Sequence, residues 1–129
     1  MTGLKVYTSI VIASYAAFGF SLLIAPNPFL TLFGCPLDMH GALVARTFAA
    51  SLLGSAAMHM GLRMVPLTTT VWRPVLVSNI IFNGISAIIM SIGVLQGAMH
   101  MLGILPVLLN LVLTWMSVRI LVAIHMQNT

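Results

Sequence analysis

The sequence predicts an all-α membrane protein, an antiparallel bundle of four transmembrane helices with both termini in the cytoplasm. Of its 129 residues, 60% are hydrophobic and only 5% are charged, whereas a soluble domain carries about a quarter charged residues. An exterior so poor in charge is stable against hydrocarbon, where apolar side chains can face outward. The length suits a single domain over residues 1–129.

Four apolar stretches are long enough to cross a bilayer, since roughly 30 Å of hydrocarbon takes about 20 residues of helix. These predicted spans are Val6–Ala25, Gly41–Met64, Val75–Leu95 and Leu102–Ile124. The segments between them are short, so successive helices are expected to run in opposite directions. Small residues such as Ala50 and Gly54 on the second helix are expected to let neighbouring helices approach closely.

The basic residues predict the orientation of the bundle in the membrane. If both termini share one side, that side holds four basic residues and the other side holds Arg46 alone; the four are Lys5, Arg63, Arg73 and Arg119. The positive-inside rule places the four in the cytoplasm, in a bacterial inner membrane or an organellar membrane such as the ER. The net charge of +4 is therefore an orientation signal, and nucleic acid is not an expected partner. Tyr7 and Trp72 are expected to anchor the same interface.

Arg46 has three alternative roles. About 26 Å of helix separates it from Arg63 at 1.5 Å per residue, so each arginine can reach its own membrane interface as an anchor. Arg46 could instead pair with Asp38, the one acidic residue of the sequence. The third alternative is that it binds a ligand, because an intramembrane arginine is a functional candidate by default.

Three asparagines lie within the predicted spans, Asn79 and Asn83 on the third helix and Asn110 on the fourth. An amide in hydrocarbon needs a hydrogen-bond partner, so these side chains should face the bundle interior. They are either interhelical hydrogen-bond partners or, with Arg46, the lining of a cavity that binds a quinone or a lipid. A homo-oligomeric transporter is a further alternative.

Each of the four histidines adjoins a methionine, and the tetrapeptide Ala-Met-His-Met occurs twice. The predicted topology gathers one set of candidate ligands at the non-cytoplasmic surface, namely Cys35, Met39, His40, Met99 and His100. Thiolate, thioether and imidazole together suit Cu(I), so copper is one candidate cofactor. The alternatives are that the histidines ligate a haem or another redox group, or that they are interfacial and the methionines adapt to packing. His59 is expected near the opposite interface, without a partner at its depth.

The sequence lacks the patterns that mark an independent enzyme. It contains no Gly-rich phosphate loop, no paired carboxylates and no nucleophile with an adjacent base. We therefore expect a non-catalytic accessory or scaffold subunit that contacts the lipid bilayer and other membrane subunits, or further copies of itself, through its helix faces.

The first half of the chain resembles the small DoxX-like membrane families. The likeness lies in Ala25-Pro26, in the run 32–36 (Leu-Phe-Gly-Cys-Pro) and in the run 45–48 (Ala-Arg-Thr-Phe). Residues 34–48 are also similar to the four-helix ER scaffold family of ergosterol biosynthesis, and Gly103–Pro106 to its last helix. Both resemblances imply a small helper within a larger membrane assembly, and the first implies a redox complex coupled to quinone.

Overall fold

The computed structural model describes residues 2–66 and 69–126, all of whose regular structure is helical. The helices are α1 (Thr2–Ile24), α2 (Pro26–Thr31), α3 (Met39–Leu62), α4 (Thr69–Leu95) and α5 (Ile104–Met126), with a 3-10 turn at Met101–Gly103. Four of them, α1, α3, α4 and α5, are long and apolar enough to cross a membrane. The predicted all-helical class and the four apolar helices are therefore confirmed.

Two local features differ from the predicted boundaries. The short helix α2 lies where the sequence predicts a loop, and it begins with Pro26, whose fixed φ suits the first position of a helix. Helix α4 begins at Thr69 rather than Val75 and contains Pro74. A proline so close to a helix start removes a single intrahelical hydrogen bond, so the helix can extend through it.

The long helices form two pairs. Helix α1 packs along α3 (the first pair) and α4 packs along α5 (the second pair), while α1 and α5 touch over a shorter length. In the described part of the chain, no Cα atom of α3 comes within 8 Å of one in α4. The first pair depends on Gly19, where an added Cβ would lie 2.8 Å from Leu53 Cγ. Ala50 and Gly54, by contrast, are exposed on the outer face of α3.

The two ends of the bundle are defined by contacts. At the Lys5 end, Arg63 follows α3 and hydrogen-bonds Thr8 and Ser9 at the start of α1. At the Asp38 end, Asp38 caps α3 by accepting a hydrogen bond of 2.7 Å from the Gly41 amide. At that end the His100 amide also donates to the Phe33 carbonyl over 2.6 Å, which joins the segment after α2 to the α4–α5 connection.

The distribution of polar and apolar side chains is the reverse of that in a soluble domain. Large apolar side chains such as Ile89 and Leu105 are exposed along the outer faces of the helices. His59, Asn79 and Asn83 are buried in the interior. Hydrocarbon solvates the outer faces, and polar groups are satisfied inside. The protein is an integral membrane protein by this criterion as well as by helix length.

Candidate functional site

Six polar residues lie buried where the first and second helix pairs face each other. We call them the interior polar cluster: Tyr7, Tyr15, His59, Asn79, Asn83 and Ser117. The first three belong to α1 and α3, and the last three belong to α4 and α5. The cluster therefore joins the two pairs through side chains.

Asn79 lies at the centre of the interior polar cluster. Its amide nitrogen donates to the Tyr7 hydroxyl over 2.6 Å and to His59 Nε2 over 2.8 Å. His59 Nδ1 lies 2.8 Å from the Ser55 carbonyl oxygen, which can only accept, so Nδ1 carries the proton. Nε2 is then the acceptor of a neutral imidazole. One amide thus connects α4 to both helices of the first pair.

The Tyr7 hydroxyl extends the cluster to α5. It shares a hydrogen bond of 2.9 Å with the Ser117 hydroxyl. Ser117 in turn donates to the Leu113 carbonyl, one turn earlier on α5, over 2.8 Å. Tyr7 therefore contacts both helices of the second pair.

A second connection lies about two helical turns further along α1. Asn83 donates to the Tyr15 hydroxyl over 3.0 Å and to the Asn79 carbonyl over 2.9 Å. Tyr15 donates back to the Asn83 side-chain oxygen over 3.3 Å. The Tyr15 ring also lies edge-on to the His59 ring, with centroids 6.2 Å apart. The two connections are therefore linked to each other by hydrogen bonds and ring contacts.

The other residues of the predicted ligand cavity lie outside the interior polar cluster. Asn110 is half-buried and donates to the Pro106 carbonyl of its own helix over 2.9 Å, with Met90 Sδ 3.6 Å away. Arg46 donates to the Leu23 carbonyl over 3.3 Å at the end of α1, where the last carbonyls of a helix lack internal partners. Arg46 therefore joins α3 to α1 through this bond. A ligand role for the three asparagines and Arg46 stays a prediction.

Two of the five candidate copper ligands lie where the loops meet at the Asp38 end. The Cys35 thiol lies 3.6 Å from the Ala98 carbonyl. The His100 imidazole accepts a long hydrogen bond of 3.5 Å from the Leu102 amide through Nδ1. Both groups thus contact the α4–α5 connection through its backbone.

The remaining candidate copper ligands are spread over the same end. Met99 packs beside Gly93, where an added Cβ would lie 3.1 Å from the methionine sulfur. Met39 is 81% exposed and His40 is exposed as well. Within residues 2–66 and 69–126, no three His, Cys, Asp or Glu side chains group closely enough to hold a metal ion. The copper site stays a prediction.

A cleft separates α3 from α4 beside the interior polar cluster. Phe48 and Phe82 stack across it with ring centroids 5.9 Å apart. It contains adjoining cavities of about 150 Å³ and about 60 Å³, which share Tyr15, Leu52 and the two phenylalanines. Asn79 lines the larger cavity and Asn110 lines the smaller one. The cleft therefore has aromatic walls and an amide on each cavity.

Sequence reasoning did not predict which way three residues of this region face. His59, Tyr7 and Trp72 were expected near a membrane interface, which stays a prediction, and all three side chains are fully buried within the bundle. His59 has the partner at its depth that the sequence did not suggest, namely Asn79. The spacing of Tyr7 and Tyr15 could have predicted that they are buried together, because residues eight apart fall on one face of a helix.

Comparison with family models, curated proteins and solved structures found no match to this chain. The groups of the interior polar cluster are two phenols, one imidazole, two amides and one hydroxyl. These groups donate and accept hydrogen bonds without carrying charge at neutral pH, the imidazole in the neutral form derived above. Such a set can hold helices together or bind a neutral polar group.

Proposed function

We propose that this protein is an integral membrane accessory subunit that docks against another membrane helix through the outer face of α3. The observation that carries the proposal is a row of small, exposed residues on that face. We call it the small-residue face, and its members are Thr47, Ala50, Gly54, Ala57 and Gly61. An added Cβ at Gly54 or Gly61 would meet nothing within 4 Å. Nothing in the described part of the chain therefore covers the two glycines.

The spacing of this small-residue face is that of a helix-packing surface. Its members follow each other at three or four residues, so they form one stripe about 21 Å long. Because lipid tails are as apolar as leucine, transmembrane helices associate where small residues let their backbones approach. The chain already uses this device between α1 and α3 at Gly19. The outer stripe offers the same kind of contact to a further helix.

The proposal includes an antiparallel bundle with both termini in the cytoplasm of a bacterial or an organellar membrane. Contacts between Arg63 and Thr8, and between His100 and Phe33, support an alternation of helix directions. The excess of basic residues at the Lys5 end supports its cytoplasmic placement. The resemblance to DoxX-like and ER scaffold families supports a helper role within a larger assembly.

Replacing two residues of the small-residue face with leucine should release the partner. We expect the Ala50→Leu/Gly54→Leu variant to leave the assembly, because leucines would hold the helix backbones apart. Native mass spectrometry from a mild detergent measures this as loss of the co-purifying subunit, or of the second copy if the partner is the chain itself. Ala123→Leu on the exposed face of α5 is the matched control and should leave the assembly intact. The proposal would be contradicted if wild-type protein were detected only as a monomer. It would also be contradicted if the double variant kept the same assembly as wild type.

The cleft between α3 and α4 favours a second candidate function, the binding of an amphipathic small molecule such as a quinone or a lipid. Phe48 and Phe82 would contact its apolar part, and Asn79 on the larger cavity would hydrogen-bond its polar group. Sites of this kind typically combine apolar walls with a few polar groups.

A substitution that fills the larger cavity should displace such a ligand. Ser51 lines that cavity, and we expect Ser51→Leu to carry less of the bound molecule through purification than wild type. Solvent extraction followed by mass spectrometry of the extract measures the ligand per mole of protein, with Ala123→Leu again as control. If wild type and Ser51→Leu retain the same molecules in the same amounts, the cleft is not the binding site.

A further inference from the structure

A separate cavity lies at the Lys5 end, away from the cleft between α3 and α4. Its volume is about 240 Å³, and the described residues that line it are Leu4, Lys5, Thr8, Arg63 and Trp72. The lining thus combines two cationic side chains, one hydroxyl and one indole. These groups come from the start of α1, from the residue after α3 and from the start of α4.

The two cations of this cavity have no acidic side chain to neutralise them. The one acidic residue of the sequence is Asp38, which caps α3 at the opposite end of the bundle. Arg63 donates to the hydroxyls of Thr8 and Ser9, so the described contacts use two of the five N–H donors of a guanidinium. These described partners are neutral hydroxyls, which do not neutralise the charge of Arg63.

Trp72 supplies a second, independent observation. Its side chain is fully buried, and its Nε1 is the one buried side-chain nitrogen or oxygen in the described residues that lacks a hydrogen-bond partner. The indole N–H is only a donor, and leaving a buried donor without an acceptor is unfavourable. Trp72 also lines the cavity, so an oxygen bound there is the candidate acceptor for this donor.

We propose that this cavity binds a phosphate group, whose oxygens accept hydrogen bonds from the Trp72 indole and the Arg63 guanidinium while Lys5 contributes charge. The cavity lies at the end of the apolar spans, where the headgroups of a bilayer begin. The phosphate could belong to an anionic lipid headgroup or be free in solution. This site is distinct from the small-residue face of α3, so either proposal can fail without the other.

Lipid retention tests the lipid source. The full-length protein is mixed with equal amounts of phosphatidylglycerol and phosphatidylcholine of matched acyl chains, and native mass spectrometry counts the retained lipids. We expect phosphatidylglycerol to be preferred, and Lys5→Gln to weaken its retention about fivefold, the effect of one basic residue near a membrane surface. Trp72→Phe should weaken it as well. Arg119→Gln removes one charge from a residue that contacts Trp115 instead, and it should retain the wild-type preference.

A readout on wild-type protein avoids dependence on the folding of the variants. The sequence has two tryptophans, so an indole ¹⁵N-labelled sample gives two N–H signals, which Trp115→Phe assigns. Phosphatidylglycerol should move the Trp72 signal downfield as the indole gains an acceptor, whereas phosphatidylcholine should not. Inorganic phosphate added to lipid-free micelles tests the free source, and a saturable shift of the same signal would identify it.

Two results would overturn the proposal. The first is a Trp72 signal that responds to neither phosphatidylglycerol nor inorganic phosphate. The second is a preference for phosphatidylglycerol that Lys5→Gln and Arg119→Gln reduce equally, because general attraction to a basic surface would then explain it.

Discussion

Replacing Asn79 with alanine is expected to lower the free energy of unfolding by about 3 kcal/mol, the largest effect in the interior polar cluster. The amide donates to both Tyr7 and His59. Its loss leaves His59 Nε2 buried without a donor, at a cost of about 1–3 kcal/mol. It also removes an interhelical hydrogen bond to Tyr7, and such bonds contribute about 0.6–2 kcal/mol in membranes.

The measurement is reversible unfolding in mixed micelles, followed by circular dichroism as the fraction of denaturing detergent rises. Asn110→Ala is the matched control, because Asn110 donates to a carbonyl of its own helix and to a methionine sulfur. It should cost about 1 kcal/mol, the contribution of an ordinary hydrogen bond. Equal losses for the two variants would show that Asn79 does not connect the helix pairs.

Gly34→Ala should destabilise the protein more than Gly97→Ala, although both glycines have left-handed backbones, with φ of +78° and +71°. A side chain in that conformation costs about 1–2 kcal/mol at either position. Only at Gly34 would the added Cβ also lie 2.8 Å from a backbone atom, the His100 nitrogen. Forcing this contact apart costs about 1–3 kcal/mol more.

The same detergent titration compares the two glycine variants. The additional cost at Gly34 arises because the Phe33–His100 hydrogen bond must lengthen to admit a methyl group. Gly97→Ala has nothing within 4 Å of its added Cβ, so it measures the backbone cost alone. A Gly97→Ala loss equal to or larger than that of Gly34→Ala would rule out close packing between the two connections.

Hydropathy predicted the four long helices because the length and apolarity of a span are local properties of the sequence. It could not predict which way a residue faces around its helix. Tyr7 is close to Lys5 in sequence and His59 is close to Arg63, so both were expected at an interface. Both point inward, because the neighbouring helices, and not the distance from a charge, decide which face is buried.

The asparagines were informative because an amide has few acceptable environments in hydrocarbon. Asn79 and Asn83 are buried, whereas Asn110 is half-buried beside the cleft. The pairing of the helices could not be predicted from single residues of the sequence. It depends on contacts between distant segments, such as Gly19 with Leu53, and on which small residues stay outside, as Ala50 and Gly54 do.

The pairing of α1 with α3 and of α4 with α5 has a consequence for biogenesis. Each pair consists of long helices that follow each other along the chain, so each can form soon after its own segments enter the membrane. The hydrogen bond between Tyr7 and Ser117 can form only after α5 has been synthesised and inserted. Until then, the Tyr7 hydroxyl lacks the Ser117 partner that it has in the finished bundle. Completion of the interior polar cluster thus distinguishes a finished chain from an interrupted one.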